Sequence, residues 1–217
     1  RNDSEWAIFL NRLGQLRQML HAWQKTGNAE YAAYIDAQLR DWVLSNPPPG
    51  EHTRRGPWRS LEVGLRLRDP WARLFHGLQQ SDAFTPATRI LVLASVPEQA
   101  GHLMRFRAGG GNWLTMEMLG LANAAASWPQ FKDSDRWAKE AFKRMNTSIN
   151  QQVYPDGVQK ELTSSYHWVA LLNLEGLTEL ADRVGPDLPE SYTQTLEQMW
   201  DYLAWVQRPS GFAPMNN

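Results

Sequence analysis

The chain has 217 residues, 42% hydrophobic and 21% charged, which suits one good-sized packed domain or part of a larger one. It holds no cysteine, which excludes disulfides and thiolate metal sites, and no apolar run long enough to read as a membrane span. The net charge of −1 is unevenly spread, with 14 Lys/Arg against 10 Asp/Glu in residues 1–108 and 8 against 13 in residues 109–217, and a total that is not basic argues against nucleic acid as partner.

Apolar residues at three- and four-residue spacing predict eight helical segments, at roughly 4–26, 29–45, 59–80, 86–107, 112–127, 131–152, 163–184 and 189–207. In the first, Trp6, Phe9, Leu10, Leu13, Leu16, Leu20 and Trp23 keep one face, and Thr26-Gly27-Asn28 supplies a stop and restart. Ser4 and Thr85-Pro86 fit N-caps, and Thr163 or Ser164 suits the cap of the helix that carries Tyr166 and His167. Turn chemistry marks Asn46-Pro47-Pro48-Pro49-Gly50, Trp128-Pro129, Pro155-Asp156-Gly157 and Gly185-Pro186. The irregular stretch 46–58 is a candidate lid or cleft wall. No alternating run of β-branched residues competes, so the fold class is all-α, a single helical domain over 1–217. Long helices with short links predict antiparallel pairs, arranged as a solenoid or as an arc of an α/α toroid.

Two features invite a charged sugar. Arg54, Arg55, Arg59, Arg66, Arg68 and Arg73 cluster in sequence, and arginine grips carboxylates and sulfates in two-pronged fashion. The competing reading is a solvated helix face with pairs such as Glu62–Arg66 and Asp69–Arg73. Eleven tryptophans are many for this length. Most belong in the core, but Trp58 follows Gly56-Pro57 and Trp113 follows Gly111-Asn112, and these two are the candidates for exposure in a cleft, where indole stacks on sugar faces.

The densest chemistry lies between Asn112 and His167. Gly109, Gly110 and Gly111 can bring backbone close to a ligand, and Asn112 after them is either an N-cap or an amide that hydrogen-bonds a substrate carboxylate. Tyr166 and His167 are neighbours near a helix start, whose partial positive charge favours a phenolate, and they are candidate acid–base groups. Glu117 and Glu161 would orient other side chains or lie on the helix surface, and Asp156-Gly157 reads as a turn alone. The five histidines (His21, His52, His76, His102 and His167) show no ligand spacing, and neither a phosphate loop nor a Gly-x-Ser-x-Gly elbow occurs.

These residues carry a resemblance. Trp58-Arg59-Ser60-Leu61-Glu62, Arg66 and Trp71, followed by Asn112-Trp113, Glu117, Gly120-Leu121, Trp128-Pro129, Phe131-Lys132, Trp137, Gln152, Asp156-Gly157, Glu161, Ser164 and Tyr166-His167, are similar to the toroid signature of the heparinase II/III-like polysaccharide lyases, which include related alginate lyases. The resemblance implies an incomplete α/α toroid followed by an antiparallel β-sandwich beyond residue 217, and β-elimination on an acidic, uronate-containing polysaccharide in the periplasm or outside the cell. It implies that Asn112 neutralises the uronate carboxylate, that Tyr166 acts as base, as acid to the leaving O4, or as both, and that His167 lies beside it. Trp58, Arg59, Arg66, Trp113, Glu117 and Glu161 would line the substrate. Many members follow the asparagine with histidine, whereas Trp113 stands here and would stack on a sugar ring instead. The family's further catalytic histidine, and the metal some relatives bind, would come from later in the chain, so no cofactor is expected in 1–217. The closing Pro209-Ser210-Gly211-Phe212-Ala213-Pro214 resembles the loop before the remaining toroid helices, so the piece alone is expected to have little or no lyase activity.

Two other readings stay open. A non-catalytic helical module binding glycan or protein needs the aromatics and arginines but not Tyr166. A glycoside hydrolase on a similar toroid needs two carboxylates facing one cleft, and Glu117 and Glu161 are the pair available.

Overall fold

The computed structural model describes residues 4–50 and 56–211. Among these residues there are ten α-helices: α1 (Ser4–Asn11), α2 (Leu16–Thr26), α3 (Ala29–Ser45), α4 (Ser60–Arg68), α5 (Pro70–Gly77), α6 (Pro86–Phe106), α7 (Gly111–Ser127), α8 (Ser134–Gln152), α9 (Ser164–Val184) and α10 (Glu190–Val206). A 3-10 turn at Gly56–Trp58 precedes α4. The described residues form no strand, and a single antiparallel bridge joins Val153 to Gln159.

All eight predicted stretches are helical, and two carry a break. Residues 12–15 part α1 from α2, with Leu13 at φ 58. Periodicity gives no hint of it, because Leu10, Leu13, Leu16 and Leu20 keep helical spacing straight through. Asp69 and Pro70 part α4 from α5: proline lacks an N–H and pushes the residue before it out of helical conformation, and Asp69 sits at φ −141. The predicted caps form. Thr85 Oγ1 accepts from Thr88 N–H at 3.3 Å, with Pro86 as the first helical residue, and Thr163 Oγ1 accepts from Tyr166 N–H at 3.1 Å. Gly27, left-handed at φ 68, ends α2 by donating to Trp23 O at 2.8 Å. The side chain of Ser4 lies outside the described residues.

The chain divides into two compact units, Arg1–Arg107 and Ala108–Asn217. In the first, the core is built on aromatic rings. Trp71 is fully buried and donates Nε1–H to Ser95 Oγ at 2.8 Å, and Trp42 meets it edge-on at 5.2 Å. Burying such a ring removes on the order of 150–250 Å² from water, a gross gain of about 4–6 kcal/mol. Buried Asp36 on α3 accepts the Thr85 N–H at 2.8 Å and its hydroxyl at 2.9 Å, which fastens the start of α6.

In the second unit, α7 and α9 run side by side in the same direction. Asn112 meets Glu161 ahead of α9, a β-carbon on Gly176 would stand 3.1 Å from Leu119 near mid-helix, and Arg183 reaches Ala126 O at 3.4 Å near the ends. The helix α8 returns against them: its last residue, Gln152, accepts from Gln159 Nε2 at 3.3 Å, while Phe142 packs on Gly185 beyond the end of α9. The helix α10 also runs antiparallel to α9, with Tyr192 O–H on Leu174 O at 2.8 Å and Met199 O beside His167. The unit is thus two antiparallel helix pairs, α7/α8 and α9/α10.

Between α8 and α9 a small hairpin closes. Tyr154 N–H donates to Val158 O at 2.8 Å, Gly157 N–H to Tyr154 O at 2.9 Å, and Lys160 N–H to Gln152 O at 2.8 Å. Gly157 has φ +84, and a β-carbon there would lie 2.1 Å from the Gln198 carbonyl oxygen on α10. Gly157→Ala is therefore expected to cost more than about 2 kcal/mol, read as a fall in Tm. The control Gly109→Ala has open space around it and is expected to stay within about 0.5 kcal/mol of the parent.

Candidate functional site

Polar groups of the second unit converge on the first turn of α7. Gly111 opens that helix at φ +70, and a β-carbon on it would stand 3.3 Å from Glu161 Oε1. Of the three consecutive glycines, this is the one whose conformation calls for glycine; Gly110 is extended at φ 179. Asn112 is thus the second helical residue and not the cap. Its backbone N–H, one of the donors that a helix start leaves without an internal acceptor, donates to Glu161 Oε1 at 3.1 Å. Its side-chain Nδ2 lies 2.8 Å from Glu161 Oε1 and 2.7 Å from Oε2. The amide is buried, whereas Glu161 reaches it from the exposed turn ahead of α9.

Gln159 organises that turn. Its Nε2 donates to Glu161 Oε1 at 3.2 Å, its Oε1 accepts the Glu161 N–H at 2.8 Å, and its own backbone N–H donates to His167 Nδ1 at 3.3 Å. Leu162 then takes φ 57, uncommon for a residue with a side chain, and delivers the chain to Thr163, the cap of α9. Sequence patterning gives no sign of Gln159, since a glutamine in a short turn reads as solvated. Only the hairpin register folds it inward, where it is buried.

His167 differs from the acid–base group expected. It is 1% exposed, with Nε2 3.0 Å from Met199 O. A carbonyl oxygen only accepts, so Nε2 carries the proton and Nδ1 is left to accept from Gln159. Both nitrogens are used, and the imidazole is a neutral brace among the hairpin, α9 and α10, packed 4.9 Å from the Tyr202 ring. Tyr166, one residue earlier, faces outward at 48% exposure. Trp113, beside Asn112, is 42% exposed. Asn112 and Tyr166 thus stand at the same end of two adjacent helices that run the same way.

Glu117 is placed differently from the substrate contact expected. It is fully buried, and its Oε2 accepts the Ala108 N–H at 2.6 Å, so it anchors the chain that enters the glycines. Sealed from solvent, it does not serve as one half of a hydrolase carboxylate pair.

In the first unit the predicted sugar contacts are largely structural. Trp58 is 5% exposed, donates Nε1–H to Asn46 O at 3.2 Å, and packs against Trp42 and His102, showing only an edge to a cleft lined by Pro48, Pro97, Glu98 and Arg105. Arg66 is fully buried over the Trp42 ring at 4.3 Å, donating to Gln99 Oε1 at 2.9 Å and to Asn11 O at 3.3 Å. Burial lowers its pKa to about 9, against the pull of Glu62, so it stays charged at neutral pH as a core cation and does not reach a sugar. Glu62 is paired with Arg59 and, at 2.6 Å, with Arg12, where the sequence suggested Arg66. The expected Asp69–Arg73 pair forms at 2.6 Å. Arg54 and Arg55, the middle of the candidate lid and the last residues from Phe212 on lie outside the described residues. Among the described residues, no three His, Asp or Glu side chains gather as metal ligands, and no helix is long and apolar enough to cross a membrane.

Comparison with known proteins agrees with this architecture. A family model described as Heparinase II/III N-terminus matches residues 1–217. A heparin-sulfate lyase of Pedobacter heparinus is 34% identical, over 99% of this chain and 32% of its own length. A heparin-sulfate lyase of Bacteroides stercoris is 30% identical, over 95% of this chain and 35% of its own. The crystal structure of a Pedobacter heparinus heparan sulfate lyase superposes with TM-score 0.79 at 30% identity, over 100% of this chain and 35% of that one. A heparinase III crystal structure superposes with TM-score 0.90 at 24% identity, over 99% of this chain and 33% of that one, and shows that the all-α fold is that of its N-terminal helical part. The chain spans about a third of the length of the curated relatives it matches.

The brace at His167 has a pH signature. Burial holds its pKa below the usual 6.5, partly offset by the Met199 carbonyl. The unfolded chain therefore takes up this proton at a higher pH than the folded chain does. The stability contributed by the neutral ring is complete above the unfolded value and is lost as pH falls from there toward the folded one. Tm is expected to drop as pH is lowered from about 7.5 to about 5, and His167→Gln to flatten part of that slope. Equal slopes in the two proteins would remove His167 as a source.

Proposed function

Because the chain belongs to the heparinase II/III N-terminus family, we propose that it carries part of the active site of a polysaccharide lyase, cleaving a uronate-containing acidic glycan by β-elimination. The observation that carries this reading is the carboxylate already seated on the Asn112 amide, 2.7 Å from Nδ2. Donors that hold a glutamate carboxylate at a helix start suit the carboxylate of a uronate. The heparin-sulfate lyases among the relatives support a glycosaminoglycan as the glycan.

In this reaction Asn112 holds the uronate carboxylate. As the C5–H bond breaks, its electron pair moves toward C5 and the carboxylate group, and preorganised N–H donors stabilise the charge that develops. The pair then closes the C4–C5 double bond while the C4–O4 bond breaks. Tyr166, exposed in the first turn of α9, takes the C5 proton, returns one to O4, or does both. Trp113 stacks on a neighbouring ring, and His167 serves by fixing the backbone that carries Tyr166. Residues 1–217 would form the N-terminal helical part of an enzyme acting in the periplasm or outside the cell, with the remaining toroid helices and a β-sandwich following. A chain that spans about a third of its relatives is in keeping with that.

Tyr166→Phe in the full-length enzyme is expected to lower kcat by at least about 10²-fold while glycan binding persists, read by the ultraviolet absorbance of the unsaturated uronate. Undiminished turnover would remove Tyr166 from the mechanism and favour a helical module that only binds. The isolated chain is expected to show little or no turnover in the same assay, and full turnover would contradict the reading of it as part of a site.

A further inference from the structure

We propose that Glu161 is an internal stand-in for the substrate carboxylate, seated on Asn112 until a uronate displaces it, so that it sets substrate affinity without taking part in the chemistry. This rests on the reading of Asn112 as the uronate seat and goes beyond it.

The geometry carries the argument. The Asn112 amide has two N–H donors, and its nitrogen stands 2.8 and 2.7 Å from the two oxygens of a single carboxylate. The Asn112 backbone N–H and Gln159 Nε2 add donors to Glu161 Oε1 at 3.1 and 3.2 Å. Every donor that a uronate would need there is engaged by Glu161. A second carboxylate cannot share the amide at close range, since two like charges about 4 Å apart repel by roughly 1–4 kcal/mol even where water screens them. Binding therefore requires Glu161 to leave. It is placed to do so: Asn112 and Gln159 are buried and braced, whereas Glu161 is exposed on the turn ahead of α9. Gly111 provides the clearance, since a β-carbon there would crowd Glu161 Oε1 at 3.3 Å.

A seat closed by its own carboxylate lowers apparent affinity by the fraction of time it is open, and it leaves the rate of the bound complex alone. Glu161→Ala and Glu161→Gln are tested in the full-length enzyme by elimination kinetics on heparan sulfate, with thermal unfolding to establish that each variant is folded. The dissociation constant of a heparan sulfate oligosaccharide is measured in a Tyr166→Phe background. The expected result is a KM and a dissociation constant lower by roughly 3- to 30-fold with kcat unchanged, and a larger effect for Ala than for Gln, which keeps one acceptor oxygen. Should Glu161→Ala fail to fold, the Gln variant carries the same expectation at smaller size. A fall in kcat at constant KM would overturn the proposal and make Glu161 a positioning residue for Asn112. A rise in KM would overturn it in favour of direct sugar contact, and unchanged kinetics would overturn it too. Asn112→Ala separates the two levels: if that variant still eliminates at the parent rate, the uronate seat itself is misassigned, whatever Glu161 does.

Discussion

Gln159 is the side chain on which the polar end of the second unit depends. Its backbone N–H fixes the tautomer of His167, and its amide holds Glu161 from two directions. Through those contacts the hairpin after α8, the start of α9 and the first turn of α7 become one hydrogen-bonded assembly. Gln159 is almost fully buried, and a buried amide left without partners is costly, so the network tends to form as a whole. Gly157 locks the same hairpin against α10 from the other side, where no side chain would fit. The position of Asn112 relative to Tyr166 follows from these constraints and not from either residue alone.

This arrangement divides labour between neighbours. Tyr166 and His167 follow one another on α9, and successive residues on a helix point about 100° apart. The phenol is thereby turned toward solvent and the imidazole inward to Met199 O. The inward ring holds the helix start in place, and the outward one is left open to solvent. A comparable division separates the two glutamates. Glu117 is sealed beneath the glycine loop and anchors it, whereas Glu161 is exposed and closes over the amide from outside.

Much of the fold was legible in the residues, because amphipathic periodicity is a local property: eight stretches at helical spacing became helix, and Thr85, Thr163 and Gly27 capped where their chemistry suggested. The two breaks escaped because leucine spacing stayed in phase through residues 12–15 and because α4 and α5 meet at Pro70 with no loop between them. The arginine cluster misled for a different reason. Sequence records charge but not depth, and Arg66 turned out to be a core cation stacked on Trp42, with Glu62 committed to Arg12 and Arg59.

The sequence by itself determined the all-α class, the main turns, the absence of thiol chemistry and the candidacy of Asn112 and Tyr166, since each follows from residue type, spacing or likeness of motif. Only the tertiary structure decided that Asn112 is not a cap, that His167 is a neutral brace, that Trp58 and Arg66 are buried, and that a carboxylate from 49 positions away sits on the amide. Those outcomes depend on which groups meet across long stretches of chain and on how far each is removed from water. Neither distance in space nor burial is written in local pattern; both are set when the hairpin register and the helix pairing close.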